Sequence, residues 1–378
     1  MQNYDYFDSF FIHSFNKPIK GIEEIMKDTL FILLDDGTCI VFCISKMKII
    51  NEQKFAELQH ATHCTKFSIQ NGQDNQIRDL IMTQHKLGFL GILMVEDNTH
   101  NIVFLQKIQL EYTGFMKILP NEEIFSYKTG YSQQRSVLIN ECFLYSPNKK
   151  DTSIEKLNLL NGKPVVSYQF YEEKYIDTIC CMKKVAIENQ ESIQNLLIVA
   201  YEGLYMGILE LDEKNQKHKF LLQRTKIVDC KEEMPYIFDF QLSVNVKEPK
   251  NDIVITIYIC TSVEELQVLK LNLTDKKITS QSNINIKYLS PQIGLSNIKM
   301  DKKQLYVSTL DRQVKILSRK KLQEVCSFQF HNNSINGLLL ITDQNLDENG
   351  QQKSKFLISI SEDCKMAVID LNKLRKKK

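Results

Sequence analysis

The chain has 378 residues, 43% of them apolar and 25% charged, with a net charge of +2. That balance excludes a global field that would draw the protein to nucleic acid or an anionic membrane. The longest apolar runs, 89–95 and 253–260, have strand length and fall far short of the ~20 residues a membrane helix needs. The first residues, Met1-Gln2-Asn3-Tyr4-Asp5-Tyr6-Phe7, lack a basic segment followed by a long apolar one, so no secretory signal is expected. Ten cysteines are scattered without metal-ligand spacing, and Cys39, Cys43, Cys180 and Cys260 sit inside apolar runs. This is the usage of reduced, buried thiols, and a nuclear or cytoplasmic location is expected.

The expected elements are almost all short strands, and they fall into sets. A lone strand at 8–15 comes first and belongs to no set. The first set covers 19–26, 29–34 and 38–44, with Asp35-Asp36-Gly37 as a hairpin turn. The second follows His60 at 64–69, 80–83 and 88–95. The third is placed at 113–118, 136–140, 154–159 and 165–170. The fourth covers 176–182, 196–201 and 204–211 across a Glu202-Gly203 turn. The fifth covers 236–242, 253–260 and 266–271. The sixth covers 293–300, 305–309, 314–317 and 324–328, with Asp311 in a turn. The seventh has strands at 357–361 and 366–371.

The seventh set shows the repeat most clearly. It opens Phe330-His331-Asn332-Asn333-Ser334-Ile335 and resumes as Phe356-Leu357-Ile358-Ser359-Ile360-Ser361-Glu362-Asp363-Cys364-Lys365-Met366-Ala367-Val368-Ile369-Asp370. It resembles a WD repeat: His331 ends the position of the Gly-His dipeptide, Asp363 is the tight-turn Asp, and Ile369-Asp370 stands for Trp-Asp. The pattern implies a hydrogen bond from His331 to Asp363, with a strand serine completing it. One such repeat is one blade of a β-propeller and cannot bury its own faces. The seventh set lacks a fourth strand and 8–15 is a strand without a set. The two match as a closure, so the expectation is an all-β, single seven-bladed WD40-like β-propeller over 1–372, closed by 8–15, with a basic tail at 373–378.

Seven sets in 378 residues average roughly 54 residues each, against about 40–45 for an ordinary WD repeat. The excess lies in polar insertions at 70–79, 120–135, 183–194, 244–251 and 342–355, all between the first and second strand of a set. In a propeller those connections share one face; they read either as neutral drift in surface loops or as a thickened partner-binding surface.

Gln292-Ile293-Gly294-Leu295-Ser296-Asn297-Ile298-Lys299-Met300-Asp301, continuing through Asp311-Arg312-Gln313-Val314-Lys315-Ile316-Leu317 to His331, resembles the end of the G-protein β-subunit-like protein 1 family, also called ASTRA-associated protein 1. Leu196-Leu197-Ile198-Val199-Ala200-Tyr201-Glu202-Gly203 resembles its fourth blade, and Glu233-Met234-Pro235-Tyr236-Ile237-Phe238-Asp239-Phe240 the start of its fifth. The resemblance covers the second half of the chain. It implies a scaffold tied to the co-chaperone machinery that matures phosphatidylinositol-3-kinase-related kinases, and to associated chromatin complexes.

Catalytic patterns do not emerge. The chain has no phosphate-cradling Gly-rich loop, no Gly-x-Ser-x-Gly elbow and no His-Glu-x-x-His. His60-Ala61-Thr62-His63-Cys64 is poorly spaced for a metal; in the repeat reading His60 is the structural histidine and Cys64 an apolar strand residue. Asp36, Asp311 and Asp363 read as turn acids. Lys373, Arg375, Lys376, Lys377 and Lys378 form a basic run that reads either as a nuclear address or as a solvated end. The expected function is a non-enzymatic adaptor without cofactor, small-molecule substrate, membrane or direct nucleic-acid contact, whose partners are proteins. The rival readings are a propeller hydrolase of the diphthine methylesterase type and a structural subunit of a ribonucleoprotein or ciliary assembly.

Overall fold

Two strands show how the sequence builds a blade. Thr29–Leu34 and Thr38–Cys43 are buried at every position. A strand covered on both faces reads as a continuous apolar run, as these do. Asp36 and Gly37 turn the chain between them, and Gly37 has φ +82°, open to glycine at no steric cost. The next strand, Lys48–Lys54, has no fully buried residue. It is the outer edge of its sheet, and its Lys, Glu and Gln side chains are exposed, while Asn51 Nδ2 donates to the His100 carbonyl of the next blade (2.8 Å).

The structure is a computed structural model. It describes residues 9–70, 77–110, 123–126, 132–134, 137–138, 143–148, 153–159, 162–169, 178–188, 193–212, 215, 217–228, 235–247, 252–263, 265–290, 293–346 and 352–376. Strands dominate them, gathered into seven antiparallel blades. From axis to rim, blade one is Ile19–Met26, Thr29–Leu34, Thr38–Cys43 and Lys48–Lys54. Blade two is Ala61–Gln70, Ile77–His85, Phe89–Val95 and Ile102–Gln109. Blade three contributes Phe143–Pro147, Ser153–Asn158 and Pro164–Gln169. Blade four is Ile179–Glu188, Ile193–Tyr201, Tyr205–Asp212 and Lys217–Lys226. Blade five is Ile237–Lys247, Asp252–Thr261, Glu265–Asn272 and Lys277–Asn285. Blade six is Leu295–Met300, Gln304–Thr309, Val314–Ser318 and Gln323–Phe328. Blade seven is Ile335–Leu346, Gln352–Ser361, Lys365–Asp370 and, as its outer strand, Phe10–Ser14.

The ring is closed twice over. Phe10–Ser14 pairs antiparallel with Lys365–Asp370, from Phe10 opposite Ile369 to Ser14 opposite Lys365. Backbone bonds Phe15 N–H to Cys364 O (2.8 Å) and Asp370 N–H to Ser9 O (2.8 Å) extend the ladder at both ends. Buried apolar clusters also join every neighbouring pair of blades. One spans blades two, three and four, and others join four to five, five to six and six to seven. Ile22, Ile32 and Phe42 of blade one share a cluster with Ile341, Ile358 and Val368 of blade seven. Blades one and two meet through Leu33, Val41, Cys64 and Leu93. They meet so closely that a Cβ at Gly21 would lie 2.5 Å from Cys64 Sγ.

The structure alters several sequence expectations. Outer strands at 48–54, 102–109, 217–226 and 277–285 had no counterpart in the expected sets, because an edge strand buries little and its polar sequence hides it. The first described strand of blade three is Phe143–Pro147, and the strand expected at 136–140 does not join that blade. Leu144 and Tyr145 bury there against blades two and four, while Val137–Leu138 adds to blade two instead. The strand expected at 113–118 lies outside the described residues. Finally, the C-terminal run is not a plain tail from 373, because Leu371–Lys376 forms a short helix. Asp370 starts it by accepting the N–H groups of Asn372 (3.0 Å) and Lys373 (3.1 Å).

A feature invisible in the sequence recurs in all six described inner strands. Each skips one residue of its register near the start: Lys20, Thr62, Cys180, Phe238, Ser296 and Asn336. This repeated bulge puts every inner strand in a common frame.

Candidate interaction face

Counted from that bulge, blade six ends its inner strand at Met300, and a tight turn follows, with Met300 opposite Leu305. The equivalent positions elsewhere are Glu24, Lys66, Lys184, Leu242 and Leu340. Blade one also turns back early, with Met26 opposite Thr29. The other four strands run on, over 67–70, 185–188, 243–247 and 341–346. Their second strands follow them out: Gln70 pairs Ile77, Glu188 pairs Ile193, Lys247 pairs Asp252, and Leu346 pairs Gln352. Much of the expected insertion at 70–79, 183–194, 244–251 and 342–355 is therefore hairpin arm rather than loop. At about 3.3 Å per residue these arms stand roughly 13–20 Å above the rim of blade six.

All four arms leave the same end of the ring, because all are first-to-second-strand connections. The insertion of blade three, at 120–135, precedes that blade's second strand. Parts of it, and two residues just after it, reach the two neighbouring blades. Glu123–Ser126 pairs parallel with 185–188 of blade four, and Ser132–Gln134 pairs back on it. Val137–Leu138 pairs parallel with Ile69 and Gln70 of blade two. Both additions use the axis-facing edge, since the other edge of each inner strand holds its own second strand.

The bases of the arms are apolar and buried. Val185 and Ile187 of blade four share a cluster with Val244 and Ile253 of blade five. Ile341 and Phe356 of blade seven pack against blade one. Charges line the gap over blade one. Lys355 reaches Asp28 (2.9 Å), and Lys66 reaches Asp79 (2.7 Å) and the Ile25 carbonyl (3.2 Å). Glu24 lies among them. Burial pushes its carboxyl up to about 7; Asp28 adds to the rise, and Lys66 and Lys355 oppose it.

The histidines and turn acids singled out in the sequence lie on the opposite face, whereas the terminal helix follows Asp370, which pairs with Phe356 at the base of blade seven's arm. His331 and Asp363 meet, with Nδ1 to Oδ1 at 3.2 Å, and His331 Nε2 lies 2.8 Å from Ser359 Oγ. Burial holds the imidazole below its usual value, against the pull of Asp363. A neutral ring fits both contacts: Nδ1–H donates to the carboxylate and Nε2 accepts the hydroxyl proton. Burial works to raise the Asp363 carboxyl, but the Asn332 N–H (2.8 Å) and His331 outweigh it and hold it low.

Asp311 is buried and accepts bonds from Leu289 N–H (2.6 Å), Gln313 Nε2 (2.6 Å) and the Thr309 hydroxyl. Asp36 accepts from Thr38 N–H (3.2 Å) and Lys54 (2.7 Å). These three carboxylates hold turns together. His60 does not hold the place expected of it. It is exposed with φ +65°, while the buried histidine of blade two is His85. The His85 ring bonds the Gln59 carbonyl and stacks on Phe89 at 4.0 Å. Only the tertiary bond to Gln59 reveals that role. Lys373, Arg375 and Lys376 fall on the terminal helix; 377 and 378 lie outside the described residues.

Among the described residues no three His, Cys, Asp or Glu side chains are grouped to hold a metal ion. The eight described cysteines are free thiols. Burial pushes those of Cys181 and Cys260 well up, which makes them poor nucleophiles. No described helix is long and apolar enough to cross a membrane.

Fold and site together define a seven-bladed β-propeller, WD-repeat-like in its last blade, with one face raised into a crown of hairpins. No family model matches the sequence, and no curated protein matches it. In shape it matches 1380 solved chains, so the likeness singles out no function. One of them is the crystal structure of Saccharomyces cerevisiae Sqt1. The two align with a TM-score of 0.55 over 96% of this chain and 97% of that one, at 9% identity. An identity that low shows the fold alone.

Proposed function

We propose that the protein is a non-enzymatic scaffold, an adaptor that holds other proteins together in a multi-subunit complex. The one-sided crown carries this reading. Random growth of surface loops would fall on both faces, whereas here the elongated hairpins of blades two, four, five and seven share one connection type. Their bases are packed with buried apolar side chains, so they stand as a platform rather than as loose loops.

The particular complex we assign is one that assembles or matures phosphatidylinositol-3-kinase-related kinases and associated chromatin complexes. The resemblance of 196–203, 233–240 and 292–331 to the ASTRA-associated family supports it. A nuclear or cytoplasmic location accords with the free thiols, and the basic residues 373–378 would serve as a nuclear address. Affinity purification of the tagged full chain from its own cells, with mass spectrometry, tests the assignment. Recovery of kinase-maturation or remodelling subunits is expected; their absence from an otherwise partnered protein would sink the particular complex.

A further inference from the structure

The four raised inner strands do not end in the same state. On blades two and four the axis-facing edge above the rim is paired by short added strands of the same chain: Val137–Leu138 lies on Ile69 and Gln70, and Glu123–Ser126 lies on 185–188. Among the described residues the corresponding edges of blades five and seven carry no added strand. Blade seven is irregular there, with register shifts on either side of Thr342. Blade five is regular. Its residues 243–247 pair without a break, from Ser243 opposite Thr256 to Lys247 opposite Asp252.

An inner strand paired on one side leaves every second N–H and C=O pointing from its other edge. Below the rim that edge faces the narrow axis of the ring. Above it, blade five's inner strand runs on for five residues past the position at which blade six turns back, with Ser243 and Val244 buried at its base and Asn245 exposed. The hairpin is also stiff, since Val244, Ile253 and Ile255 are buried in the cluster shared with blade four, while Asn245 is exposed.

We propose that residues 243–247 of blade five are a strand-addition site, taking an extended segment of a partner protein in the way that blade four takes Glu123–Ser126. The occupant is a polypeptide strand recognised through its backbone. Apolar side chains alternate along it to continue the Val244 face, and polar ones lie on the Asn245 side. This deepens the adaptor reading and rests on it.

The test uses the full chain and short random-sequence peptides displayed on phage as the probe. Selected peptides should show apolar–polar alternation and slow amide exchange at 243–247. They should bind at least about tenfold more weakly to a variant whose residues 245–254 are replaced by Asn-Gly, since several backbone bonds are lost. Exchange in the unaltered protein keeps the test sharp if that variant folds poorly. Peptides that bind both proteins equally, or protect other segments, overturn the site. Concentration-dependent protection of 243–247 without peptide assigns the edge to a second copy and also overturns it. A protein that co-purifies partners yet selects no such peptide sinks this site alone. One recovered without partners while still selecting them sinks the adaptor reading instead.

Discussion

His331 is held through both ring nitrogens, to Asp363 and Ser359, with its side chain fully buried. Removing it leaves the Asp363 carboxylate and Ser359 hydroxyl short of a partner. His331→Ala should cost about 1–3 kcal/mol, read as a fall in melting temperature; an unchanged melting temperature would deny the pair its structural role. Acid should act in the same place. The folded state holds His331 low, so its contribution is complete above the unfolded value of 6.5 and fades as pH falls below it. Glu24 has the opposite sign. Its folded value is raised from 4.5 to about 7, so folding favours the protonated acid. That advantage is complete below 4.5 and is lost as pH rises through 7. Glu24→Gln should therefore stabilise the protein near pH 8 by on the order of 1 kcal/mol, discounted for partial exposure, and do little near pH 4. Equal effects at both pH values would contradict the assignment. The His331–Asp363 pair was legible because blade seven keeps the spacing of its repeat. Glu24 was not, because its neighbours Lys66 and Lys355 come from two other blades.

At the scale of elements, strands buried on both faces were the legible ones. Thr29–Leu34 and Gln304–Thr309 announce themselves as apolar runs between turns. Outer strands such as Lys277–Asn285 do not, for most of that strand is exposed. The arms above the rim read as polar insertions in the sequence for a similar reason. Asn, Gln, Lys and Glu dominate their tips, and pairing alone makes them strands. Phe10–Ser14 was legible as a surplus strand matched to a deficit, and its place makes a strong prediction. Phe11 and Phe15 pack on the cluster that joins blades seven and one, Phe10 lies 5.0 Å from Phe330, and His13 lies 5.2 Å from Phe42. Deleting residues 1–16 removes these contacts and bares the edge of Lys365–Asp370. The truncated chain should melt at lower temperature and aggregate. A monomeric truncation with an unchanged melting transition would mean that the ring does not need this strand.

For the molecule as a whole, the repeat count and the closed ring followed from the spacing of strand sets, because blades stack only when enough are present to cover each other's faces. Function was less legible. A propeller has no chemistry fixed by its fold, and the crown emerges only when six inner strands are aligned on a bulge that no residue type marks. The central claim is that partners bind through that crown. The most direct measurement compares the proteins co-purified by the full chain with those co-purified by a chain whose blade five and blade seven hairpins are shortened to tight turns. Both must first be shown to melt cooperatively. The adaptor account predicts stoichiometric partners on the full chain and their loss from the shortened one. Identical partners on both, or none on either, would contradict it.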